Sequence, residues 1–266
     1  MTARSGLSRG NALLIRTALV LALTLMASQG AQAKESPLHI AAAADLMPVL
    51  PNLARSFTKK TGIPVRISWG ASGEEAQAIR HGAPYDLFMA ADRSFPGKLA
   101  KGGYLQKESL KVYAKGILVL WVSKKALDQA HSRPQTGVLS NGFVHRIALA
   151  NPRLAPYGRA AMGCLRSKGL LSSLRKKFVY GNSLAQVAQY LRTGAAQAGF
   201  LSESQAMALG RLAKGDFVAL SPHCSAWLPQ EMGIVSASKN KKSAKAFEDF
   251  FLGTEVQGYL MKHGYH

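Results

Sequence analysis

Four short segments of this 266-residue chain could together hold a small anion using neutral groups alone. They are Ala43-Ala44-Asp45, Gly70-Ala71-Ser72-Gly73, Ala155-Pro156-Tyr157-Gly158 and Gly181-Asn182-Ser183-Leu184. Each places small or hydroxyl-bearing residues at the expected start of a helix. A helix start exposes backbone N–H groups that have no intrahelical partner and carries a partial positive charge, so several converging on one cleft bind an anion without a fixed cation. Singly, each segment has a plainer reading: Ser72, Asn182 or Ser183 as an ordinary N-cap, and the alanine run as a buried strand. Their shared placement after strands gives the set its meaning.

Catalytic constellations are not expected. A nucleophile elbow needs Gly-x-Ser-x-Gly, and Gly70-Ala71-Ser72-Gly73-Glu74 lacks the final glycine. The seven histidines show neither triad nor metal-ligand spacing. His39 falls within a strand pattern and reads as a packed or edge residue.

The elements that would position these segments alternate in type. Strands are predicted at 38–43, 64–69, 86–90, 117–122, 146–150, 197–201, 216–220 and 232–236. Helices are predicted at 46–61, 73–81, 95–102, 158–168, 184–193, 203–212, 241–252 and 255–263. The alternation implies an α/β class with parallel-rich sheets and crossover helices. Gly62, Gly82, Gly169 and Gly194 stand where helix ends favour a left-handed residue. In open α/β sheets ligands bind beyond the carboxyl ends of strands, which is where the four segments fall.

The N-terminus carries an export signature. Arg4, Arg9 and Arg16 accompany an apolar run from Ala18 to Met26, and Ala31-Gln32-Ala33 offers a small-x-small cleavage site, so residues 1–33 read as a signal peptide and the mature chain begins at Lys34. The apolar run falls short of the roughly 20 residues a membrane helix needs. Removing the three signal arginines leaves 31 basic against 14 acidic residues, a mature net charge of +17. That charge is dispersed over Lys59-Lys60, Lys124-Lys125, Arg175-Lys176-Lys177 and the stretch from Lys239 to Lys245, and no nucleic-acid-binding motif accompanies it. It reads as solvated surface that raises the local concentration of small anions. Cys164 and Cys224 would enter a compartment that permits disulfides; the sequence leaves open whether they pair, or whether one joins His223 in a zinc site.

The ordered set Ala-Ala-Ala-Asp-Leu, Gly-Ala-Ser-Gly, Gly82-Ala-Pro-Tyr-Asp-Leu-Phe88, Ala90-Ala-Asp92, Asn151-Pro152, Ala155-Pro-Tyr-Gly-Arg-Ala-Ala161 and Gly181-Asn-Ser183 resembles the periplasmic molybdate-binding proteins of ABC uptake systems. The resemblance spans about residues 37 to 265. It implies a two-lobed periplasmic-binding fold of type II, with two parallel-rich sheets joined by two crossover segments. Lobe 1 would comprise 34–116 and 229–266, and lobe 2 would comprise 117–228. The ligand implied is molybdate, with tungstate beside it, handed to a membrane permease by a monomer that needs no cofactor and binds no nucleic acid. Molybdenum would be held through its own oxygens, without direct protein ligands. Another anion, such as sulfate, a phosphonate or a small organic anion, is the alternative cargo.

Carried onto this sequence, the family's ligand contacts fall at Ala44, Asp45, Ser72, Tyr157 and Leu184. Ser72 offers a hydroxyl and an amide, Tyr157 and Leu184 offer amides while their side chains wall the pocket, and Ala44 admits the ligand close to the backbone. Asp45 departs from the serine, threonine or asparagine of many members, because an ionised carboxylate only accepts hydrogen bonds. It is expected to cap its own helix by accepting the Met47 amide; turned inward, it would favour a ligand that brings its own proton. Ser202 replaces a tyrosine that donates to the ligand in some members. Arg159, just inside a helix start, is the candidate cation for an organic anion.

Overall fold

The computed structural model describes residues 36–220, 224 and 227–266, of which Pro37–His266 form one compact unit. The expected signal peptide at 1–33, its cleavage site and His223 lie outside the described residues.

Strand β1 (Leu38–Ala43) is buried along nearly its whole length, as its continuous apolar run requires. It pairs in parallel with β2 (Val65–Gly70) and β3 (Leu87–Ala90). Helix Leu50–Thr61 buries Leu50, Leu53, Ala54 and Phe57, the spacing of one helical face, and ends at Gly62 with φ 78°. All four glycines expected at helix ends have positive φ. The helix predicted at 46–61 is in fact a 3-10 turn, Ala44–Leu46, followed by the helix Leu50–Thr61. Pro48 and Pro51 explain the division, since proline is tolerated only where no helical amide is needed.

A second parallel group follows: β5 (Ile147–Ala150) pairs with β6 (Phe178–Gly181) and with β7 (Ala198–Ser202). Strand β4 (Lys111–Ser123) links the groups. Its first half runs antiparallel to β9 (Trp227–Ile234), and its second half runs antiparallel to β7 and to β8 (Gly215–Ala219). Because β9 also pairs with β3, the strands form one hydrogen-bonded path, β2-β1-β3-β9-β4-β7-β5-β6, with β8 on β4. The two sheets expected from the sequence are thus continuous through β4 and β9. The strand predicted at 117–122 is longer because Lys111 to Gly116 are recruited by β9, a pairing that periodicity cannot reveal. Likewise, the strand predicted at 232–236 lies at Trp227–Ile234. Strand β6 was not expected: it is four residues long and follows a basic run. The short helices Lys124–Gln129 and Leu171–Leu174 were also not anticipated.

Hydrophobic packing follows the same division. Ile40, Phe57, Tyr113, Phe247, Phe251 and Tyr265 belong to one cluster, and Trp121, Leu149, Tyr157, Cys164, Val187 and Phe200 to another. Fully burying side chains of this size contributes about 1.5–3 kcal/mol each. Registers then align the strand ends. Ala43 lies opposite Gly70 and Ala150 opposite Gly181, so the turns after β1 and β2, and those after β5 and β6, emerge side by side.

Candidate functional site

Those turns border a small cavity lined by Ala43, Ala44, Asp45, Gly70, Ala71, Ser72, Ala91, Ala155, Pro156, Tyr157 and Leu184. The five residues singled out in the sequence therefore border one chamber. Three helices begin there, at Ser72, Pro156 and Leu184, and the 3-10 turn begins at Ala44. Their first-turn amides supply a neutral, positively polarised wall. No lysine or arginine is among the described residues lining the cavity.

Ser72 is buried, and its Oγ accepts the Ala91 amide at 3.0 Å. With that lone pair engaged, the hydroxyl proton is free to donate elsewhere. The turn around it is fixed by Ala71, whose amide donates to Glu74 Oε2 at 3.1 Å, and by Gly73, whose amide donates to Leu154 O at 2.9 Å. Leu184 follows Ser183, whose side chain forms no cap bond.

Asp45 departs from expectation. It does not cap a helix: Ala43 is the cap residue of the 3-10 turn and the Met47 amide donates to Ala44 O. The carboxyl is instead turned inward and is 1 % exposed. Gln230 donates from Nε2 to Asp45 Oδ2 at 2.6 Å and to Tyr157 Oη at 3.1 Å, and Tyr265 Oη donates to the Asp45 carbonyl at 2.8 Å. Asp45 Oδ1 has no protein partner. Burial pushes the Asp45 carboxyl up to about 7, against a smaller opposing effect of the Gln230 hydrogen bond. An ionised Asp45 would oppose an anion: at an effective dielectric of about 20, two like unit charges about 4 Å apart repel by about 4 kcal/mol. Keeping the acid neutral removes that cost.

Gln230, Tyr265 and Gln205 were missed in the sequence. Gln205 donates from Nε2 to the Ala44 carbonyl at 2.7 Å, holding the turn after β1. One signal existed for Gln230: Leu228, Gln230 and Met232 alternate along a strand, and all three are buried. Ser202, which stands where some members of the family resembled have a donating tyrosine, caps the helix Glu203–Leu209 by accepting the Gln205 amide and does not line the cavity. Arg159 also lies off the cavity wall. Its guanidinium pairs with Asp92 and lies over the Phe95 ring, 5.0 Å from the centroid. Cys164, on the helix that starts at Pro156, is joined to Cys224 in a disulfide.

Comparison with known proteins identifies the family. The chain matches the family of bacterial extracellular solute-binding proteins over residues 38–266. It is 33% identical to the molybdate-binding protein ModA of Azotobacter vinelandii, over 88% of this chain and 91% of that one. It is 32% identical to ModA of Rhodobacter capsulatus, over 93% of each. The solved Azotobacter vinelandii periplasmic molybdate-binding protein superposes with a TM-score of 0.80 at 31% identity, covering 86% of this chain and 98% of that one. With its fold, its chamber at the strand ends and these relatives in agreement, the chain belongs to the bacterial extracellular solute-binding protein family.

Proposed function

We propose that this protein captures molybdate, and tungstate with it, in the periplasm and delivers it to an ABC permease. The observation that carries the reading is the convergence of Ala44, Asp45, Ser72, Tyr157 and Leu184, drawn from four separate segments, on one small chamber built from helix starts. A wall of amides and hydroxyls without a fixed cation suits a small tetrahedral dianion. Two relatives, at 33% and 32% identity, are named for binding molybdate. An organic anion is less well served, because Arg159, its candidate cation, is tied to Asp92.

In this reading lobe 1 comprises 34–116 and 229–266, lobe 2 comprises 117–228, and the ligand is enclosed when they close. Contacts between residues of the two stretches support it: Gly73 with Leu154, Ala44 with Gln205, and Asp92 with Arg159. Closure presents the permease with a surface drawn from both lobes, so release is coupled to transport and no bond is made or broken. The protein acts as a monomer, exported by a signal peptide cleaved after Ala33. The test is calorimetric titration of the purified protein with molybdate, tungstate, sulfate and phosphate. Tight one-to-one binding of molybdate and tungstate is expected; preference for sulfate or phosphate, or silence with all four, overturns the assignment.

A further inference from the structure

The proposed anion site is bordered by one residue that a wall of amides does not require, the buried acid Asp45. Asp45 Oδ2 is occupied by the Gln230 amide, whereas Oδ1 is buried and unpartnered on a residue that borders the cavity. A buried polar atom without a partner is unfavourable and calls for one. Facing a bound oxyanion, Oδ1 can play only one favourable part, that of a hydroxyl donor, because a second lone pair there would repel the ligand.

We propose that Asp45 binds the oxyanion as a neutral acid, donating from Oδ1, so that each anion captured from alkaline solution brings one proton from solvent into the closed site. The proposal rests on the anion-binding reading above and adds a ligand class, oxyanions whose facing oxygen carries no proton, together with a pH dependence. It reverses the sequence expectation that an inward Asp45 would favour a ligand bearing its own proton: with the proton already on the acid, a protonated oxygen would meet it donor to donor.

The surroundings make Asp45 the group that titrates. Packed around it are Gln230 from β9, Tyr157 from the helix Pro156–Ser167, Tyr113 from β4 and Tyr265 from the C-terminal segment, while Gln205 from the helix Glu203–Leu209 engages Ala44 beside it. Burial, reinforced by the field of Asp45, holds all three tyrosines well above their ordinary range, so they stay neutral. Of two carboxylates whose fields reach these tyrosines, Asp92 is paired with Arg159, and Glu203 Oε2 lies 3.3 Å from His266 Nε2. Burial, against the smaller opposing effect of its hydrogen bonds, already pushes Asp45 up to about 7, and a nearby anion raises it further.

The test is calorimetry of the purified protein with molybdate and with sulfate, from about pH 6.5 to about pH 9, in buffers of different ionisation enthalpy. Both ligands are unprotonated dianions over that range. The expected result is affinity that is flat below about pH 7 and falls by about tenfold for each unit above it, with uptake of one proton per anion on the falling limb. Asp45→Asn, which retains an N–H donor and cannot titrate, is expected to bind with no pH slope and no proton uptake; circular dichroism checks that it is folded. Tight wild-type binding without slope or uptake overturns this inference and leaves the anion site standing, as does an unchanged slope in Asp45→Asn or loss of binding by the folded variant. Failure to bind either molybdate or sulfate at every pH removes the site itself.

Discussion

Gln230 and Asp45 are 185 positions apart in the chain and 2.6 Å apart in the fold, joined by a hydrogen bond from the Gln230 amide to Asp45 Oδ2. The same amide reaches Tyr157 Oη, so one residue of β9 orients side chains on two walls of the chamber. Gln230→Leu removes that donor and leaves Asp45 Oδ2 and Tyr157 Oη without it. The expected cost is about 1–3 kcal/mol of stability, read as a lower urea midpoint. An unchanged midpoint would show that Gln230 does not support the site.

Asp45 should also make the ligand-free protein less stable as pH rises. Its folded value, about 7, lies above its unfolded value of 3.8, so between them the native state binds more protons than the unfolded chain. Stability contributed in this way is fully present below about pH 4, is lost progressively up to about pH 7, and does not change further above it. The shift corresponds to a loss on the order of 4 kcal/mol. Urea unfolding of the wild type and Asp45→Asn at about pH 5 and about pH 7.5 measures it: the wild type should lose stability between the two, and the variant should lose much less. Equal pH responses would mean that Asp45 is ionised in the fold.

Ser72 is the side chain with the most direct case for an anion contact, since its oxygen is already engaged by Ala91 and its proton is free. Ser72→Ala should weaken molybdate binding by about 1.5–3 kcal/mol, the worth of a hydrogen bond to a charged group. Calorimetric affinity decides it, and unchanged affinity would take the hydroxyl out of the site.

The chain discloses its local structure more readily than its long-range contacts. The strand Leu38–Ala43 is legible because it is continuously apolar, the helix Lys241–Leu252 because Ala244, Phe247 and Phe251 recur on one face, and the helix ends because glycine takes a left-handed conformation there. The turns holding Ser72, Tyr157 and Leu184 are legible for the same reason, as small residues at helix starts. Gln230 and Tyr265 reach Asp45 across 185 and 220 residues, and no local pattern encodes that distance. The Asp45 side chain was misread as a cap because capping is a local rule, whereas its burial and its proton are set by partners from β9 and the C-terminus.

The disulfide between Cys164 and Cys224 closes a loop with a sequence separation of 60 and anchors the helix that opens at Pro156. In the chain-entropy account a loop of that length is worth about 4 kcal/mol. Reduction should therefore lower the melting temperature of the ligand-free protein, and Cys164→Ala with Cys224→Ala should lower it similarly under oxidising conditions. A melting curve insensitive to reductant would show that the bond contributes little.

Gly116 gives the most specific steric test of the chamber. A Cβ at this position would overlap Tyr157 Oη and lie 2.6 Å from Gln230 Nε2, so the glycine makes room for the two groups that meet Asp45. Neither can yield cheaply: Tyr157 is 1 % exposed and Gln230 is fully buried. Gly116→Ala should therefore cost about 1–3 kcal/mol of stability through overpacking. It should also weaken anion binding, because displacing Tyr157 shifts the wall and displacing Gln230 frees the Asp45 carboxyl. Gly137, where an added Cβ meets nothing within 4 Å, is the matched control, and Gly137→Ala should leave affinity unchanged. If both variants bind molybdate as the wild type does, the arrangement of Tyr157, Gln230 and Asp45 is not what shapes the site.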